Sequence, residues 1–287
     1  MATEQEYLNI IKQNFPELDI KNFRVLGKGS FGVACLVNDN VVFKIPFEFS
    51  KRFNDGKKEN YVLKKLENKL SIEIPRILYN KETEIGVING ETLVRGTTYT
   101  QEMHDSFDEN TKSDVLRQIG RIMRELHSIK ITDKEKILFV SDYKDELHLF
   151  DRNFTDDVQK CFSESDKARI NTLRDRYEYL SVKHPVDLVL VHADMHFANF
   201  MFDTDTKKII GLIDFGAAHL AEPARDMQYY YGDGIKDLLS GYGDNGDIYL
   251  GERQKYHSMV NFLYNIRNNI ENKKSPDKDI RKLLSVL

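Results

Sequence analysis

The chain of 287 residues carries 42 Lys and Arg against 46 Asp and Glu, a net charge of −4, with 40% hydrophobic residues, 16 Gly and 6 Pro. That is enough apolar material for a packed core and argues against disorder, collagen-like repeats and low complexity. The near-neutral charge removes the electrostatic footprint of a nucleic-acid binder. No apolar run approaches the roughly 20 residues of a membrane-spanning helix, and the acidic N-terminal residues contain no signal-peptide core. Cys35 and Cys161 form no metal-ligand pattern. A soluble cytoplasmic protein with two idle thiols is expected, with no membrane and no nucleic acid among its partners.

After a short amphipathic opening (Tyr7, Leu8, Ile10, Ile11, Phe15), strand-like runs fall at residues 23–26, 33–37 and 41–45. Asn38-Asp39-Asn40 is a hairpin turn signal between the last two, and Pro46 ends the third. Residues 57–70 carry Val62, Leu63, Leu66 and Leu70 at helical spacing. Residues 74–79 and 84–99 are strand-like again, with Asn89-Gly90 a candidate two-residue turn. From about residue 105 the pattern becomes helical. Val115, Leu116, Ile119, Ile122, Met123 and Leu126 trace one helix face, residues 154–180 read as a highly charged helix, and Met259, Phe262, Leu263, Ile266 and Ile270 mark another. Short strands are expected at 188–191, 200–202 and 209–213. The expected fold is α+β and bilobal, a small antiparallel β lobe with one helix over residues 1–104 and a larger, mainly helical lobe over 105–287.

Four pieces of sequence carry chemistry. Gly27-Lys28-Gly29-Ser30-Phe31-Gly32 is a glycine-rich turn between strands, where a backbone without Cβ atoms approaches a polyphosphate closely. Lys44 lies one hairpin later, within reach of the same phosphates, and Glu59 in the following helix is the natural carboxylate to hold it. As isolated features these residues are also read as a surface lysine and a solvated glutamate beside Lys57 and Lys58. The third piece is His192-Ala193-Asp194-Met195-His196-Phe197-Ala198-Asn199, directly after a buried strand. There Asp194 is placed to accept or orient a hydroxyl proton, and the Asn199 amide oxygen suits a divalent cation. The fourth is Ile213-Asp214-Phe215-Gly216, in which a strand delivers a second carboxylate of the kind magnesium prefers.

In order and spacing these pieces resemble the protein-kinase-like superfamily, with its glycine loop, strand lysine, helix glutamate, HxDxxxxN loop and DFG triplet. Within it the chain is similar to the aminoglycoside phosphotransferase family, most like the 2″ branch. Only five residues separate Asp214-Phe215-Gly216 from Glu222-Pro223-Ala224-Arg225-Asp226, and no Ala-Pro-Glu motif follows, unlike a protein kinase. Ala193 stands where protein kinases have arginine, and Glu125-Leu126-His127-Ser128-Ile129 resembles the end of the family's first long helix.

The resemblance implies a kinase of aminoglycoside hydroxyls that uses ATP or GTP and Mg2+ and confers antibiotic resistance; separately, a monomer is expected. Gly27, Gly29, Ser30 and Gly32 would cover the triphosphate, and Lys44, held by Glu59, would neutralise its inner phosphates. Asn199 and Asp214 would hold magnesium, and Asp194 would orient the acceptor hydroxyl. His192 and Asp226 would support the loop. The nucleotide base is placed either near Gly86–Ile88, with Gly86 and Ile88 as contacts, or near residues 101–103. The first placement leaves the family's usual distance to His127.

Residues 222–252 hold seven acids against two bases, which would draw a polycation. Asp233, Asp237 and Glu222 are the candidate acceptor contacts, with Asp233 and Asp237 expected on one helix face. A kinase of another small alcohol (a sugar, a choline-like amine or a macrolide), a protein kinase and a nonenzymatic nucleotide-binding module stand as alternatives.

Overall fold

The computed structural model describes residues 3–29, 32–47, 55–131 and 140–287. In chain order its elements are α1 (Glu4–Asn14), β1 (Phe23–Lys28), β2 (Gly32–Val37), β3 (Val41–Pro46), α2 (Asp55–Leu66), β4 (Ile77–Thr83), β5 (Gly86–Thr92), β6 (Thr97–Thr98), α3 (Gln101–Ser106) and α4 (Glu109–His127). There follow α5 (Tyr143–Asn153), α6 (Asp156–Gln159), α7 (Glu164–Lys183), β7 (Val189–Val191), β8 (Phe200–Asp203), β9 (Lys208–Leu212), β10 (His219–Ala221), α8 (Ile235–Tyr242), α9 (Leu250–Glu271) and α10 (Asp277–Val286). None of the described helices is long and apolar enough to cross a membrane.

The chain divides into two compact units. The first comprises residues 1–99, 198–206 and 210–218. Its antiparallel sheet has the order β1-β2-β3-β5-β4. The β2–β3 hairpin turns at Asn38 and Asp39, both left-handed with φ near +50°, a conformation the short polar side chains tolerate. A capping box between Thr3 and Glu6 starts α1, and Tyr7, Ile11 and Phe15 pack with Val33, Phe43, Ile45 and Ile88 as the core on one sheet face. Helix α2 packs against β5 and the turn at residues 215–217. Cys35 is buried in this core, and burial pushes its thiol up to about 12, so it stays protonated and unreactive.

Two expectations for this unit are corrected. Asn89 and Gly90 are not a turn. They lie inside β5, opposite Lys44 and Phe43 of β3 and Asn80 and Tyr79 of β4, and the reversal before β5 occurs at residues 84–85. Gly86 and Ile88, the expected base contacts, lie within the same strand. Gly86 begins β5, and Ile88 is fully buried in the core. The chain leaves the sheet only after Thr92, through residues 93–99. Segments 198–206 and 210–218, expected in the second lobe, group with the first unit because β8 pairs with β6 and Glu73 bridges Gly211.

The second unit comprises residues 100–197, 207–209 and 219–287. Its long helix α4 is capped by Asp108, which accepts from Thr111 N–H, and crosses α8 at very short range. A Cβ on Gly120 would stand 2.1 Å from Leu238 O, and one on Gly241 would stand 2.1 Å from Arg117 O. Each helix thus needs glycine where the other's backbone passes. The expected helix at 154–180 is two, α6 and α7, with Ser163 capping the second through Asp166 N–H. Helix α9 is the spine of the unit, with Tyr256, Met259, Phe262, Leu263 and Ile266 packed against α5, α6, α7 and α10.

Candidate active site

In the first unit, β3 and α2 bring Lys44 and Glu59 together at 2.5 Å. Two further carboxylates share the ammonium group, Glu91 of β5 at 3.4 Å and Asp214 at 3.5 Å. Burial alone would push Lys44 down, but Glu59, Glu91 and Asp214 outweigh it and hold the lysine charged, well above its ordinary range. The second function of Glu59 is to accept from Phe215 N–H at 3.1 Å, so one carboxylate fixes both the lysine and the turn after Asp214. Asp214 itself is exposed and left-handed, φ +68°. The Ile213 N–H donates to Asn199 O at 2.9 Å, which puts the residue before Asp214 on the backbone of Asn199. An amide oxygen and a carboxylate on adjoining backbones are hard oxygen donors and fit a magnesium ion.

The glycine turn is closed by Gly29 N–H donating to Gly32 O at 2.9 Å. Gly32 is required sterically, since a Cβ there would stand 2.5 Å from Ile45 O. Gly27 and Gly29 are exposed; a Cβ on Gly27 would meet nothing within 4 Å, and one on Gly29 only Gly32 O at 3.9 Å. Ser30 lies outside the described residues.

Sequence reasoning missed Glu91. It is 2% exposed, and its Oε1 has no hydrogen-bond partner among the described residues. Burial, joined by the Glu59 charge, pushes its carboxyl up to about 8 despite Lys44. A folded pKa above the ordinary 4.5 means the folded state holds this proton longer than the unfolded chain. The stability it contributes is complete at low pH and is lost as pH rises from 4.5 through about 8. Glu91→Gln, which mimics the protonated form, should therefore gain on the parent protein as pH rises through this window. Urea melts at several pH values without nucleotide check this, and a constant difference would refute it.

In the second unit, Asp194 follows β7 on a loop whose strained residue is Ala193, φ +65°. Non-glycine residues persist in this region only where their surroundings over-determine them. Asp226 supplies that bracing. It is 0% exposed and accepts from His192 N–H at 3.0 Å and Ala193 N–H at 2.6 Å. His127 Nε2 lies 2.9 Å from its Oδ2, and His127 Nδ1 lies 2.9 Å from the Tyr242 hydroxyl. Asp194 Oδ1 accepts from the Tyr229 hydroxyl at 2.7 Å, and His196 Nε2 stands 3.6 Å from its Oδ2. Burial would raise the Asp194 carboxyl, but hydrogen bonding to His196 and Tyr229 and the charges of His196 and His192 bring it down to about 2. It is an anion throughout the neutral range.

The expected acidic acceptor surface is thinner than the sequence suggests. Glu222 is 6% exposed and its oxygens are taken by Arg253 at 3.2 Å and His257 at 2.5 Å. It is a buried structural ion, which removes it as an acceptor contact. Asp247 is held by Arg253 at 3.0 Å. Asp237, in the first turn of α8, pairs with Arg117 at 2.8 Å. Asp233 is exposed but sits in the 3-10 turn Gly232–Gly234 before α8, so the pair does not share one α-helical face.

The first unit thus carries a lysine clamped by a helix carboxylate, a glycine turn and the aspartate of an Asp-Phe-Gly triplet, and the second a braced loop aspartate. The profile of the phosphotransferase enzyme family (APH) matches residues 27–251, and the chain belongs to this family. Among solved structures it is similar to the GDP and kanamycin complex of APH(2″)-IIIa, with 20% identity over 98% of each chain and a TM-score of 0.83. It is also similar to ADP-bound aminoglycoside phosphotransferase APH(2″)-Ib, with 20% identity over 99% of this chain and 98% of that one and a TM-score of 0.68. The macrolide 2′-phosphotransferase of Brachybacterium faecium matches at 16% identity over 99% and 98%, with a TM-score of 0.66. The expected protein-kinase-like fold is the one observed.

Proposed function

We propose that the protein is an aminoglycoside kinase that transfers the terminal phosphate of ATP or GTP to a hydroxyl of the antibiotic. The Lys44 cluster carries the phosphotransfer, because a lysine held charged by Glu59 beside Asp214 is built for a triphosphate. The likeness to complexes of APH(2″) enzymes with kanamycin and with gentamicin supports the acceptor class.

In this reading the backbone N–H groups of the glycine turn and Lys44 bind the triphosphate. Asn199 and Asp214 would hold magnesium, which when bound neutralises phosphate charge. Asp194 orients the acceptor hydroxyl. The acceptor oxygen bonds to the terminal phosphorus as the bond from phosphorus to the bridging oxygen breaks. The nucleoside diphosphate leaves with that bridging oxygen, and the hydroxyl proton passes to Asp194. Such a loose transition state needs positioning and electrostatics above all. Segment 93–99, where the chain leaves β5, replaces Gly86–Ile88 as the place for the base. Asp233 remains the acidic acceptor contact, Asp237 being held by Arg117. A monomer in the cytoplasm, where nucleoside triphosphates are available, completes the reading.

A second reading, a kinase of an uncharged or singly charged alcohol such as a macrolide, is favoured by the commitment of Glu222, Asp237 and Asp247 to arginines. Nucleotide turnover with magnesium, using ATP and GTP separately against kanamycin, gentamicin, neomycin and a macrolide, decides between them. Aminoglycoside-dependent turnover with a product heavier by one phosphoryl group is expected. Turnover with the macrolide alone would replace the first reading by the second.

A further inference from the structure

We infer that Tyr229 is a positioning residue for the acceptor step, its hydroxyl bonding Oδ1 of Asp194 and so fixing how the carboxylate is turned towards the acceptor. The inference rests on the reading of Asp194 as the group that orients the acceptor. Three consecutive side chains meet three consecutive residues of the catalytic loop. Gln228 Nε2 donates to Ala193 O at 3.0 Å, Tyr229 donates to Asp194 Oδ1 at 2.7 Å, and Tyr230 donates to Met195 O at 2.7 Å. Residues 228–230 thus form a template for residues 193–195. The outer two contacts fix backbone, while the middle one fixes the reacting side chain.

The Tyr229 contact is short, as expected of a hydroxyl donating to a carboxylate. Burial and the Asp194 charge push the phenol far above its ordinary range, so it remains a donor at every working pH. Its ring stands 5.6 Å from the His196 ring at 81°, a contact that holds the ring, while the bond to Asp194 sets the direction of the hydroxyl. The carboxylate is then bracketed, with Oδ1 bonded to Tyr229 and Oδ2 on the side of His196 at 3.6 Å. Without the phenol hydroxyl the carboxylate turns about its last torsion and Oδ1 must be hydrated, which misdirects the acceptor without touching the nucleotide. The titratable and charged groups around Asp194 and Tyr229 are His192, His196, Arg225 and Asp226, and all are retained when only the Tyr229 hydroxyl is removed.

Tyr229→Phe keeps the ring and deletes the one bond. A hydrogen bond to a charged group of this kind corresponds to about a ten- to hundredfold fall in kcat, with the nucleotide KM unchanged. Tyr230→Phe is the control, since it deletes a bond from the same segment to backbone alone. Independently of any acceptor, the carbon-13 carboxyl resonance of Asp194, assigned with Asp194→Asn, is followed from about pH 7 to pH 4. It should be flat in the parent protein and in Tyr230→Phe, and should bend at the acid end in Tyr229→Phe, because the bond that favours the anion is gone. If no aminoglycoside is phosphorylated by the parent protein, the functional reading falls while the titration still decides the role of Tyr229. An unchanged titration in Tyr229→Phe overturns the inference, whether or not kcat falls.

Discussion

Asp194→Asn is expected to lower acceptor-dependent turnover about a thousandfold or more, equivalent to about 4 kcal/mol of lost transition-state stabilisation. The amide matches the carboxylate in shape and can still accept from Tyr229. It has no negative charge with which to draw the acceptor proton as the new bond to phosphorus forms. Binding of the nucleotide should be unaffected, because the Lys44 cluster contains no part of the Asp194 loop. Comparison of kcat with the nucleotide dissociation constant tests both halves. A loss of less than tenfold would mean that Asp194 is not the orienting group.

Asp226→Ala is expected to destabilise the fold by about 3–5 kcal/mol, the usual cost of removing one partner from a buried charged network. Its two oxygens hold two backbone N–H groups and His127, so the alanine leaves buried donors unpaired. The melting temperature should fall on the order of 10 °C. Activity should fall with it even at temperatures where the protein stays folded, because the left-handed Ala193 is no longer held. Asp226→Asn, which keeps one acceptor oxygen, should lie between the two. Thermal melts and turnover of the three proteins check this. A destabilised alanine variant of full activity would show that the loop keeps its shape without the brace.

Much of the phosphate-handling chemistry is legible as sequence because it is local. The glycine turn, Asp194, Asn199 and Asp214 sit beside short strands and Lys44 within one, and the residues of each strand already specify where the side chain is delivered. Glu59 illustrates the limit. Beside Lys57 and Lys58 it reads equally well as a solvated residue. Its bonds to Lys44, 15 residues away, and to Phe215, 156 residues away, appear only when α2 is folded onto the sheet.

The turn expected at Asn89-Gly90 failed for a related reason. Asn89-Gly90 carries strong turn chemistry, but pairing with both β3 and β4 satisfies its backbone on two sides, and that tertiary gain overrides the local preference. Glu91 escaped notice for the same reason, since a charged residue next to a supposed turn reads as exposed.

Composition, periodicity and motif order determined the class of fold and the class of enzyme, and named candidate residues for its chemistry. Only the tertiary structure decided which acids are available. Glu222, Asp237 and Asp247 look alike as sequence, yet Arg253, His257 and Arg117 claim them from other helices. Tyr229 is one of three tyrosines in a row, and only the fold directs its hydroxyl to the Asp194 carboxylate. Local sequence sets which groups a segment carries. Partners distant in the chain settle whether a charge is spent on the fold or left for a substrate, because burial makes an unpaired charge too costly to keep.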